Sequence, residues 1–122
     1  MTGSMKLFRF LDWKVYKDSK LLYAEILKLE KKFPYDIKLS LGAQILRSSL
    51  SVSLNIAEGS AKHSDKDFNR FLNTALGSLN ETVANLDILR DNSLITEQEF
   101  EQLAELAISI TRQLGGLKKK LV

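Results

Sequence analysis

Residues 64–91, SDKDFNRFLNTALGSLNETVANLDILRD, decide the fold because they predict one long amphipathic helix. Ser64 is a preferred helix-capping residue, and Asp67 follows it three residues later, inside the first turn. Apolar side chains then recur at steps of three and four residues, the spacing of one helix face. These side chains are Phe68, Leu72, Ala75, Leu79, Val83 and Leu86.

The same reasoning, extended outward, predicts one further helix after this segment and two before it. Thr96 to Glu99 forms a capping box, and an apolar repeat with the same spacing follows it. Asp12 can cap the first helix, and Pro34 prevents its continuation. Gly59 suits the left-handed conformation just past a helix end, and Gly115 and Gly116 should fray the last one. The predicted helices span residues 12–33, 37–59, 65–91 and 97–118.

Helices of similar length joined by short turns pack as antiparallel neighbours. The predicted fold is therefore all-α, an antiparallel up-down-up-down four-helix bundle. The chain has 122 residues, which fits a single domain. We assign that domain to residues 5–122, because residues 1–4 precede a second Met and resemble a cloning remnant.

Composition excludes several classes of protein. The chain has no Cys and a single His, so neither a disulfide framework nor a thiolate or paired-histidine metal site is expected. No apolar run approaches the roughly 20 residues that cross a bilayer, and the start does not resemble a signal peptide. We expect a cytoplasmic protein without membrane contact, cofactor or metal. It should not be an enzyme, since its carboxylates lack a visible acid/base partner.

The first two helices carry more apolar surface than one core seam requires. The second helix has Leu41, Ile45, Val52 and Ile56 on one side and Leu39, Leu46, Leu50 and Leu54 on another. A helix that is apolar on two sides is buried on two sides, which favours a homo-oligomer. The alternative is that both stripes merge into one wide core face.

Polar side chains interrupt the apolar pattern of the middle helices. Counting residues outward from the turn between these helices places Arg47 near Glu81 and Ser78. The same count places Glu58 near Arg70. Asn55 lies level with the start of the third helix. We interpret these six residues as a buried polar network that fixes helix register. The alternative, acid/base or metal chemistry at Glu58 and Glu81, lacks the Glu-x-x-His pairs of di-metal bundles. The serines of the second helix either permit close helix approach or face solvent.

Lysines are concentrated on the first helix and at the C-terminus. The candidate nucleic-acid-binding residues are Lys14, Lys17, Lys20, Lys28, Lys31, Lys118, Lys119 and Lys120. Such a stripe is either the solvated side of an amphipathic helix or a surface that faces phosphates. The chain has no groove-reading motif, so binding would depend on shape and charge.

These motifs, taken together from Phe10 onward, resemble the four-helix-bundle family encoded in intervening sequences of bacterial large-subunit ribosomal RNA genes. The residues that carry the resemblance are Leu11 to Lys14, Phe33, Pro34, Gln44, Arg47, Ser51, Val52, Asn55 to Gly59, Phe68, Arg70 to Leu72, Ala75, Gly77 to Leu79 and Glu81. The resemblance implies a bacterial, cytoplasmic homopentamer built around a central channel. A similar protein is the accessory factor of diversity-generating retroelements, which binds a reverse transcriptase and nucleic acid.

Two functions follow as hypotheses. The first is a non-enzymatic homo-oligomer that binds structured RNA or a ribonucleoprotein through its basic face. The second is an oligomeric scaffold that recruits a protein partner such as a reverse transcriptase. The net charge of +3 is modest for the retroelement role and favours the first.

Overall fold

The computed structural model describes residues 4–121, with side chains from Leu7 onward, and this range contains helices and turns but no strand. The α-helices are α1 (Lys14–Glu30), α2 (Tyr35–Ile37), α3 (Ala43–Ser60), α4 (Asp65–Asp91) and α5 (Glu97–Lys119). A 3₁₀ segment, Ser4–Asp12, precedes α1, and a π-helical turn, Lys38–Gly42, joins α2 to α3. The predicted all-α bundle is confirmed. The cloning remnant stays a prediction, and residues 1–3 lie outside the described range.

The four long helices form a closed bundle around one core. Each packs against its neighbours in the chain, and α5 returns to pack against α1. The start of α1, the end of α3, the start of α4 and the end of α5 therefore lie at the same end of the bundle. Fully buried core side chains come from all four, including Leu22, Val52, Ile56, Leu72, Leu86, Ile110 and Leu114.

The first helix differs from its prediction at both ends. Asp12 closes the 3₁₀ segment and does not cap α1, whose N-cap is Trp13 with an extended backbone. The regular helix ends at Glu30, and a tighter turn carries the chain to the buried Phe33. Pro34 then starts the next helical run, since a proline without an N–H is tolerated at a helix start.

Gly59 does not adopt the predicted left-handed conformation, and it lies inside α3. A Cβ built at Gly59 would lie 2.8 Å from the Cβ of Phe71 and 3.0 Å from the ring of Phe68. Gly59 is therefore required for the close approach of α4. The predicted fraying at Gly115 and Gly116 is also wrong, because α5 continues to Lys119.

Two of the three predicted caps, Ser64 and Thr96, are confirmed. Ser64 accepts a hydrogen bond from the amide of Asp67 at 3.1 Å, and Thr96 and Glu99 form the reciprocal capping box. The end of α4 uses a signal that the sequence pattern did not indicate. Ser93 has a φ of 59°, and the amide of Leu94 donates to the carbonyl of Leu89 at 2.9 Å, as in the usual glycine-terminated helix end.

Buried hydroxyl pairs join α3 to both of its neighbours. Ser53 bonds Ser19 of α1 at 2.8 Å, and Ser48 bonds Thr82 of α4 at 2.8 Å. All four side chains are buried, so the expectation that the α3 serines face solvent is wrong here, while close helix approach is confirmed. The pairs satisfy groups that would otherwise be costly to bury.

None of the described helices combines the length and apolarity that crossing a bilayer requires.

Candidate nucleic-acid interface

The predicted lysine stripe occupies the outer face of α1. Lys17, Lys20, Lys28 and Lys31 are exposed, while the opposite face of the helix is buried by Val15, Ser19, Leu22 and Ile26. Lys28 forms an ion pair with Glu25 at 3.1 Å, and Lys20 lies 4.9 Å from the ring centre of Tyr16. The stripe therefore keeps its charges at the surface along the whole helix.

The C-terminal lysines adjoin only the beginning of that stripe. Because α5 runs antiparallel to α1 and packs against it, residues 118–120 lie beside the start of α1. Lys14 and Lys120 line the same groove between the two helices. Lys28 lies roughly 20 Å further along the helix axis, at 1.5 Å per residue. The structure thus brings Lys14 together with Lys120, whereas Lys118 donates to Asn73 of α4. Lys28 and Lys31 lie away from this end of the bundle.

Five further cations lie at this end and were not among the predicted nucleic-acid-binding residues. They are Arg9, Lys62, Lys66, Arg70 and Arg112. Arg9 donates to the carbonyl of Ser60 at 3.1 Å, which fixes the 3₁₀ segment against the end of α3. The signal that could have found them is topological, because a four-helix bundle brings alternate helix ends together.

We call this region the basic end and define it as residues 7–18, 54–75 and 112–121. It holds ten Lys and Arg against five Asp and Glu, whereas residues 19–53 and 76–111 hold seven against ten. The modest net charge therefore conceals a strong separation of charge along the bundle. A positive surface of this kind raises the local concentration of polyanions.

The groove at the basic end has an apolar floor and a positive rim. It encloses about 420 Å³ between α1 and α5. Trp13 and Val15 contribute from the α1 side and Leu117 from α5, while Lys14 and Lys120 stand at its edges. Phe68 stacks on Trp13 with the ring centres 6.0 Å apart, so one wall of the groove is held in place by α4.

Asp18 organises the polar side of this groove. It accepts hydrogen bonds from Lys14 at 2.6 Å and from Gln113 of α5 at 2.7 Å. Burial acts to raise the pKa of the Asp18 carboxyl, but the bonds from Lys14 and Gln113 outweigh burial, and the pKa is lowered. Asp18 is therefore an ionised group that bridges α1 and α5.

The predicted polar network is present only in part. Arg47 pairs with Glu81 and also bonds Gln44 at 3.0 Å, but its side chain is 60% exposed, so the network is not buried there. Ser51 bonds both Ser78 and Asn55 beside it, at 2.8 Å and 3.0 Å.

The predicted pair between Glu58 and Arg70 is not formed. Arg70 instead lies 3.6 Å from Asp67, one turn earlier on its own helix, and beside the ring of Phe71. The described residues hold no group of three His, Asp or Glu side chains placed to bind a metal ion.

Comparisons with known proteins agree with the resemblance found in the sequence. A family model described as 23S rRNA-intervening sequence protein matches residues 11–116. Among solved structures, the chain is similar to a protein of unknown function from the S23 ribosomal protein family of Bacteroides thetaiotaomicron VPI-5482. The two are 29% identical with a TM-score of 0.76, and the match covers 86% of this chain and 98% of the other. A search of curated proteins finds no match.

Proposed function

Because the chain belongs to the 23S rRNA-intervening sequence protein family, we propose that it binds structured RNA, or a ribonucleoprotein, through its basic end. The observation that carries this proposal is the excess of ten Lys and Arg over five Asp and Glu in that region. The proposed role is non-enzymatic and belongs in the bacterial cytoplasm.

Phosphate neutralisation is the expected source of affinity. Lys and Arg that contact phosphates release condensed counterions, so binding weakens as salt rises. The lysines here are exposed on several different helices, which suits a curved or folded polyanion better than a single groove. Such contacts position an RNA without reading its sequence.

The test compares two triple variants that remove the same charge. Lys66→Gln, Lys119→Gln and Lys120→Gln remove three exposed lysines from the basic end, while Lys28→Gln, Lys31→Gln and Lys32→Gln remove three exposed lysines elsewhere. Affinity for a labelled RNA hairpin is measured between about 50 and 200 mM salt. The first variant should bind more weakly, with a salt slope smaller by about one for each phosphate that is no longer neutralised.

The second variant is the control, because it has the same net charge as the first. It should keep most of the affinity and the parent salt slope. Equal losses in the two variants would mean that only net charge matters, and RNA affinity unchanged in both would refute the basic end as the binding surface.

We also propose that the protein is a homo-oligomer, and two unlike apolar surfaces support this. The first, which we call the leucine face, consists of Leu46, Leu50 and Leu54, which are spaced four residues apart on α3. Leu50 and Leu54 are 41% and 55% exposed.

The second apolar surface is a groove of about 590 Å³ between α4 and α5, whose lining includes Ala84, Ala104, Ile108 and Asp87. The lining of this groove includes the charged Asp87, whereas the leucine face is apolar throughout, so the two surfaces differ in composition. Unlike surfaces that pair head to tail close into a ring when the rotation permits. A homopentamer is the ring that the family resemblance implies.

The competing function is a scaffold that recruits a protein such as a reverse transcriptase. The observation in its favour is the exposed apolar pair Leu7 and Phe8, which are 80% and 50% exposed within the basic end. Binding of the protein partner that ignores salt, without RNA affinity, would favour this scaffold over the RNA-binding role.

A further inference from the structure

We propose that the groove between the start of α1 and the end of α5 takes one unpaired nucleotide of a bound RNA. The proposal rests on the RNA-binding function above and adds the chemical form of the RNA that is preferred. The base would lie against Trp13 and Leu117, and its phosphates would lie between Lys14 and Lys120.

The composition of the groove matches such a ligand. Its volume of about 420 Å³ falls within the range of small-molecule sites, which is roughly 300–1,000 Å³. An apolar floor beside an indole suits a nucleobase, since bases in single strands bind aromatic and apolar surfaces. The lysine at each edge of the groove suits the phosphates on either side of that base.

Gly116 leaves part of the groove open. It lines the groove in the last turn of α5, and glycine is a poorer helix former than alanine. Its backbone is not left-handed, and a Cβ built there would meet no atom within 4 Å. Neither conformation nor packing therefore requires a glycine at this position. What its missing side chain does provide is open space in the groove.

Contacts within the protein hold the other lining side chains in place. Trp13 is stacked on Phe68, and the Arg9 guanidinium lies 5.3 Å from its ring centre. Gln113 is held by Asp18 at 2.7 Å. A preformed pocket loses little conformational entropy when it is filled. A rigid base also loses less conformational entropy on binding than a flexible side chain of a partner protein would.

The test uses the neighbouring glycine as a matched control. Gly116→Leu fills the groove, whereas Gly115→Leu makes the same change one residue away, outside the groove lining and where a Cβ also meets nothing within 4 Å. The probes are two RNA hairpins that differ by one bulged nucleotide. Trp13 is the only tryptophan of the chain, so its fluorescence reports directly on the groove.

The parent protein should bind the bulged hairpin about tenfold more tightly than the paired one, near the low end of the range for contact between a base and an aromatic side chain, with quenching of Trp13 fluorescence. Gly116→Leu should lose that preference and the quenching but keep the affinity for the paired hairpin. Gly115→Leu should behave like the parent. Melting curves should show both variants folded.

Three results would overturn the inference. Equal binding of both hairpins without quenching leaves RNA binding in place and removes the groove from it. Quenching by a free nucleoside monophosphate, but not by the bulged hairpin, assigns the groove to a small ligand. The absence of RNA binding at any salt removes the proposed function together with this inference.

Discussion

Gly59 sets the distance between α3 and α4 through the absence of one methyl group. Gly59→Ala should destabilise the protein by about 1–3 kcal/mol, because the new Cβ would lie 2.8 Å from the Cβ of Phe71, which cannot rotate away. Gly77→Ala is the matched control. A Cβ there meets nothing within 4 Å, so the change should stabilise α4 by up to about 1 kcal/mol. Chemical denaturation measures both, and equal effects would contradict the packing argument.

Ser93 has a backbone conformation that suits glycine better than serine. Its φ of 59° is unfavourable for any residue that has a Cβ. Ser93→Gly should therefore stabilise the protein by about 1 kcal/mol and raise the melting temperature by a few degrees. Ser93→Ala keeps the Cβ and should give no gain. A gain from alanine equal to that from glycine would show that strain at Ser93 is not the cause.

The ionised form of Asp18 should contribute to stability at neutral pH. Because its pKa is lowered in the folded state from the ordinary 3.8, this contribution is complete above the unfolded value and is lost as the pH falls through the folded value. Asp18→Asn should lower the melting temperature at pH 7 and reduce its decline below about pH 5. Parallel melting curves for parent and variant across that range would contradict this assignment.

At the scale of helices, the hydrogen bond between Ser19 of α1 and Ser53 of α3 has a defined donor, and this can be tested. Ser19 donates to the carbonyl of Tyr16 at 2.7 Å, so the hydrogen shared in the pair with Ser53 comes from Ser53. Ser19→Ala leaves that donor buried without an acceptor and should cost about 1–3 kcal/mol. Ser53→Ala should cost less.

The double variant completes the cycle for this pair. Since it removes both partners, it should be more stable than the sum of the single losses predicts, by about 0.5–1 kcal/mol. Strictly additive losses in urea denaturation would mean that the two hydroxyls do not depend on each other.

Helix positions could be predicted where the signal is local. Ser64 and Thr96 sit beside the amides they cap, and the start and end of α4 and the start of α5 agree with their predictions. Asp12 failed as a cap because the 3₁₀ segment extends through it and Trp13 begins the helix. Gly59 failed because its role depends on Phe71, which lies on another helix.

For the whole molecule, the leucine face provides the test of self-association. Leu50→Gln with Leu54→Gln should lower the sedimentation mass toward that of a single chain, because both side chains are exposed and should be buried in an oligomer. Leu21→Gln is the control, since Leu21 is 49% exposed on α1 and lies outside the leucine face. A parent protein that sediments as a monomer would refute the oligomer, and an unchanged mass in the double variant would exclude this face.

The candidate site was predictable only in its simplest part. The stripe from Lys17 to Lys31 follows from helical spacing alone. The packing of α1 against α5 decides which of these lysines lie at each end of the bundle. It also places Lys14 and Lys120 at the same groove. Arg9 and Lys66 were missed for the same reason, since nothing in their own segments relates them to the C-terminus.

If the basic end binds a polyanion as proposed, the uneven distribution of charge also sets how the protein is oriented on it. At ordinary salt, screening limits the range of each charge's electrostatic interaction to about 8–10 Å, whereas α4 alone is roughly 40 Å long. A polyanion close to one end is therefore not repelled by the acidic residues at the other end. The helix axes would then be roughly perpendicular to the nucleic acid. Each molecule would cover a length of nucleic acid equal to the width of its four helices. Neighbouring copies would then have their flanks free to touch, and occupancy along a long nucleic acid would be limited by the cross-section of the bundle.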